Sequence, residues 1–110
     1  MRFVLTILIL VIYFPVFSQS TDEGKIEGWN YIATMPLNWD STKASPALIF
    51  FPGLGEIGTN INALKFNGPH AYNGIAAALP GFVIISLQPV TAYPSATEMN
   101  KRIDCLKVLY

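Results

Sequence analysis

Three glycines and a carboxylate close the stretch LIFFPGLGEIG, residues 48–58: Gly53, Gly55 and Gly58, with Glu56 between the last two. An apolar run empties directly into them. The spacing is G-x-G-x-x-G, which in a strand–turn–helix setting cradles the pyrophosphate of a dinucleotide. A glycine turn in this place also suits a different chemistry. Acyl-transfer enzymes aim main-chain N–H groups at the negative charge that develops on a substrate carbonyl, close to the carboxyl end of a buried strand. The plain alternative is that the glycines only permit a tight turn.

The dinucleotide reading makes demands that the neighbouring residues do not meet. The segment EIGTNINALKFNGP offers no helix starting inside the motif, and the next apolar strand ends ISLQP, with no acidic residue to hold a ribose. A phosphate loop of the G-K-[ST] type is excluded because Thr59, not lysine, follows the last glycine. No cofactor and no metal site are expected. Nor does the chain hold a nucleophile elbow of the G-x-S-x-G type: Ser45, Ser86 and Ser95 lack the flanking glycines. His70, the sole histidine, sits in the loop NGPHAYNG with no evident carboxylate partner and reads as a solvated surface residue. No catalytic residue is expected within these 110 residues.

The elements that would carry the turn are legible from apolar runs and breakers. GWNYIATMP reads as a strand ended by Pro36, with Trp29, Tyr31 and Ala33 on one face and Ile32 on the other. ALIFF, residues 47–51 between Pro46 and Pro52, and the run Phe82 to Leu87 have no polar face, which predicts two strands buried on both sides. Gly53 to Asn73 shows no helical period and reads as a long ordered loop, a form usually functional at this length. AYNGIAAALP predicts a short helix stopping before Pro80. SATEMNKRIDCLKVLY predicts a longer one, with Ser95 and Glu98 as a capping box and Met99, Ile103, Leu106 and Tyr110 as its apolar stripe. Strand, loop, helix, strand, helix is the rhythm of an α/β fold on a mostly parallel sheet. The last helix would normally lead to a further strand, so the chain is expected to be the front part of something larger.

Residues 1–18 read as a signal peptide: Arg2, then the uncharged FVLTILILVIYFPVF, then small residues that allow cleavage after Ser18 or Ser20. Pro15 interrupts the apolar run, which is also shorter than the roughly 20 residues of a spanning helix. The expected destination is secreted or periplasmic, with no membrane contact after cleavage. Residues 19–28 read as a polar N-terminal segment, and residues 29–110 as the folded portion. Seven basic and seven acidic side chains cancel without forming a block, which leaves no footprint for nucleic acid or an anionic membrane. Cys105, unique in the chain, reads as a small buried hydrophobe.

ALIFFPGLGEIGTNINALKFNGP resembles the N-terminal part of secreted α/β-hydrolase esterases of the polyhydroxybutyrate-depolymerase or phospholipase/carboxylesterase type. That resemblance spans roughly residues 29–110, and its specific part is 48–69. It implies the front of an α/β-hydrolase fold, lacking the nucleophile strand, from an exported serine hydrolase of carboxylic esters. By the resemblance Gly53 and Leu54 stand at the oxyanion-hole turn, with the Leu54 amide as donor. Gly55 and Gly58 permit the path, Glu56 holds the loop through neighbouring amides or is simply solvated, and Asn60 and Asn67 form turns. The implied partner is a small or polymeric ester, once the rest of the hydrolase is present, and this portion alone is expected to be inactive. Two departures stand out: Pro52 where the family has His, and SLQPV where it has Pro before Gln. A reading from another class is a short secreted non-catalytic binding or structural protein. Trp29, Tyr31, Trp39, Tyr72 and Tyr93 would then form a surface that contacts carbohydrate or polymer.

Overall fold

The structure, a computed structural model, describes residues 19–72 and 74–110. The signal-peptide reading of residues 1–18 lies outside the described residues. Strands β1 (Thr21–Ile26) and β2 (Trp29–Thr34) form a hairpin whose register runs from Thr21 opposite Thr34 to Ile26 opposite Trp29. Its two-residue turn puts Glu27 at φ 46° and Gly28 at φ 81°, the paired left-handed conformation that matches the twist of adjacent strands. Then come β3 (Ala47–Phe50), two turns of 3-10 helix at Leu54–Glu56 and Ile61–Lys65, α1 (Gly74–Ala78), β4 (Val83–Gln88) and α2 (Ala96–Leu109).

The expectation of a mostly parallel sheet, as the front of an α/β-hydrolase fold, is not met. The four strands lie in the order β1-β2-β4-β3, with β1/β2 and β2/β4 antiparallel and only β3/β4 parallel. The sheet is mixed and mostly antiparallel. An apolar run reveals a strand but not its direction. Direction follows from the connections, and only the long crossover between β3 and β4 returns the chain in parallel. The polar segment 19–28 also contributes a strand. In β1 only Ile26 is buried, because this is an outer strand whose side chains mostly meet water.

β4 is buried along its whole length, as its apolar run requires. β3 is not. It is the other outer strand, with Ala47 exposed and Leu48, Ile49 and Phe50 half-buried, so the expected burial on both sides is corrected. The main core lies on the face that carries α2. Trp29, Tyr31, Ala33, Val83, Ile85 and Leu87 pack there around Leu106, with Met99, Cys105 and Tyr110 at the margin. α2 begins at Ser95, whose side chain accepts the Glu98 N–H at 3.2 Å. Arg102 lays its guanidinium 4.1 Å over the Trp29 ring and donates to Glu27 O at 2.7 Å. At the far end the Tyr110 hydroxyl donates to Asp22 Oδ2 at 3.1 Å. Of the five aromatics considered above as a contact surface, Trp29 and Tyr31 are buried and Trp39 is half-buried, while Tyr72 and Tyr93 are exposed.

Candidate functional site

β3 ends at Phe50, and the chain reaches the glycine turn through Phe51 and Pro52. Gly53 is extended (φ −75°, ψ −175°) and caps the 3-10 turn Leu54–Glu56, which is closed by the Glu56 N–H donating to Gly53 O at 3.1 Å. The first N–H groups of a helical turn have no acceptor within it. At this turn those groups belong to Leu54 and Gly55, and Leu54 is 60 % exposed. Of the motif glycines only Gly58 needs its residue type for backbone reasons, with φ at +124°. A Cβ at Gly53 would meet only Glu56 Oε2, at 3.5 Å, and one at Gly55 would meet nothing. Their missing side chains therefore leave the space in front of the turn open.

Beneath the turn the loop is tied down by polar side chains of the sheet. Gln88, fully buried at the end of β4, donates to Glu56 O at 2.9 Å and to Asn60 O at 2.7 Å. Its Oε1 accepts from Asn30 Nδ2 at 2.9 Å, and the same amide group donates to Thr59 O at 2.9 Å. The Gly58 N–H donates to Pro89 O at 2.9 Å. The Glu56 carboxylate takes the side-chain amide of Asn67 at 2.5 Å, a clasp across the loop where neighbouring main-chain amides were expected. Asn60 caps the second 3-10 turn by accepting the Asn62 N–H at 3.1 Å.

His70 is not the solvated residue that its lone position implied. Its Nδ1 lies 2.5 Å from Ser86 Oγ on β4, and its Nε2 lies 3.1 Å from Thr34 Oγ1 on β2, which in turn meets Thr21 Oγ1 at 3.1 Å. Burial holds the imidazole below the ordinary histidine value, favouring its neutral form. Ser86 is fully buried, so this serine–histidine contact cannot present an oxygen to a substrate. It fastens the loop to the sheet. The signal that could have found both anchors was in β4 itself: Ser86 and Gln88 are polar residues in a strand buried on both faces, and such residues must find partners.

An apolar cleft of about 280 Å³ opens beside the turn, walled by Phe51, Leu54, Ile57, Tyr93, Pro94 and Met99 among others and free of charged side chains. Tyr93 holds a left-handed backbone (φ 52°) and is 84 % exposed at its rim. A larger cavity, about 460 Å³, lies under His70 and Tyr72 with the Glu23–Lys65 ion pair in its wall, and shares no residue with that cleft. Among the described residues no group of three side chains suits a metal ion, and no helix is long and apolar enough to cross a membrane. Comparison with protein-family models, with curated proteins and with solved structures finds no match.

Proposed function

We propose that this chain forms the front portion of an exported carboxylic-ester hydrolase, and that the turn at residues 53–58 supplies main-chain donors to the ester's developing oxyanion. One observation carries the reading: a turn whose leading amides belong to Leu54 and Gly55 stands exposed on a loop that Gln88 and Asn30 hold from below. Donors that are fixed before the reaction stabilise charge without reorganising as it develops. The absent side chains of Gly53 and Gly55 admit a carbonyl oxygen, and the cleft beside Leu54 receives the apolar part of the ester. Pro52 has no N–H and adds no donor. The sequence resemblance at residues 48–69 supports the same reading. The nucleophile and its base would come from outside these residues.

Leu54→Pro tests this. Proline is tolerated at the first position of a helical turn and follows an extended residue well, so the change deletes one N–H and spares the turn. Turnover of short p-nitrophenyl esters by the native polypeptide should fall about 10²- to 10³-fold, with the thermal midpoint little changed. Undiminished turnover in the variant would overturn the role of the turn, and absence of ester hydrolysis by the native polypeptide would overturn the whole reading.

A further inference from the structure

We infer that Gln88 is the positioning residue of the glycine turn: it sets where the Leu54 and Gly55 amides stand, although it touches neither. Its significance as a site residue rests on the ester-hydrolase reading. Its action on the loop does not.

Gln88 closes β4 on the face away from α2, directly opposite Asn30 in the β2/β4 register. A glutamine side chain carries two N–H donors and one carbonyl. Here both donors go to loop carbonyls, Glu56 O and Asn60 O, and the carbonyl takes Asn30 Nδ2. Asn30 uses its remaining N–H on Thr59 O. Three main-chain carbonyls within five residues are therefore fixed by one cross-strand pair. Glu56 is the last residue of the turn that starts at Leu54, so a bond to its carbonyl acts on the turn directly. The Gly58 N–H on Pro89 O, one residue beyond Gln88, adds a fourth tie from the same strand end.

The chemistry of the contact makes it separable from mere packing. Glutamate has nearly the shape of glutamine, but its ionised form only accepts, and it would face two carbonyl oxygens with no donor. Protonated, it regains one O–H donor. In Gln88→Glu, turn order should therefore depend on pH, whereas loss of packing alone would not. Gln88 is fully buried, which raises the pKa of a carboxyl placed there and brings the switch towards neutrality.

The measurement is amide NMR on the native polypeptide labelled at leucine and glycine, comparing Gln88→Glu with wild type at pH 8 and pH 5. At pH 8 the Leu54, Gly55 and Gly58 signals of the variant should lose more than half their intensity relative to wild type, while Leu87 and Leu106 in the core keep theirs. At pH 5 most of the loss should be recovered. Equal intensities in variant and wild type at both pH values would overturn the inference, as would a loss that ignores pH. Should Gln88→Glu lose the core signals too, Gln88→Met, which keeps an unbranched side chain of similar length but carries no N–H donor, decides instead. Weakened Leu54 and Gly55 signals would uphold the inference, and unchanged ones would reject it. If the turn responds as expected but the native polypeptide hydrolyses no ester, the positioning role stands and the hydrolase reading falls.

Discussion

The two faces of the sheet are built by different means. On the α2 face, Trp29, Tyr31, Ala33, Val83, Ile85 and Leu87 meet Leu106 in an apolar core. On the opposite face, Asn30, Thr34, Ser86 and Gln88 meet His70 and the carbonyls of residues 56–60, with Ile32 and Leu64 as apolar filling. Apolar packing is non-directional and tolerates exchange at conserved volume. Hydrogen bonds to a loop's own carbonyls fix that loop in one place. The α2 face accordingly contributes through apolar burial, and the loop face adds position to its own buried apolar side chains. A chain that only had to fold could have covered both faces with apolar side chains.

The largest expected break lies on the apolar face. Leu87 is fully buried in the core, and Leu87→Ala should cost about 2–5 kcal/mol in urea unfolding through lost transfer energy and a residual cavity. The hydrogen bonds of the glycine loop should survive in the molecules that remain folded, visible as unchanged Leu54 and Gly55 amide positions. If those amides move as far as they do in Gln88→Glu, the division between the faces is wrong.

A smaller effect should appear on the polar face, as a function of pH. Burial lowers the His70 pKa in the folded state, so the folded protein favours the neutral ring more than the unfolded chain does. The stabilisation is fully present above the ordinary histidine value near 6.5, and it fades as pH falls from there towards the lowered value. The nearest charges in the cavity wall, Glu23 and Lys65, pair with each other at 2.7 Å and offset one another there. Urea midpoints taken in steps across this window should fall in the native protein and fall less in His70→Gln. Parallel curves for the two proteins would remove His70 from the account. The smallest effect belongs to that ion pair, whose partners are nearly half exposed. Lys65→Met should change stability by less than about 1 kcal/mol, and less still in high salt.

The sequence showed different elements to different depths. The apolar runs located β3 and β4, and the Ser95 cap with the four-three-four stripe located α2, because those signals are local. β1 stayed hidden because an outer strand exposed to water needs no apolar alternation, although Glu27-Gly28 was a usable turn signal. Strand direction, and with it the mixed sheet, was not legible from periodicity. The glycine turn could be singled out by spacing, but its supports could not, since Gln88 and Asn30 are 58 residues apart and His70 and Ser86 are 16 apart. Polar residues inside β4 announced that partners were required without naming them.

The bond between Tyr110 and Asp22 joins positions 88 residues apart, and β2 finds its second neighbour only when β4 has been made. Most of this sheet therefore forms from contacts distant along the chain, the topology that folds slowly because large loops must close before pairing rewards them. As the polypeptide leaves the ribosome, the first hairpin has no sheet to join, and a lone hairpin is at best marginally stable in water. For that interval the amino-terminal part stays pliable, and β4 and α2 fasten it only once they have been made.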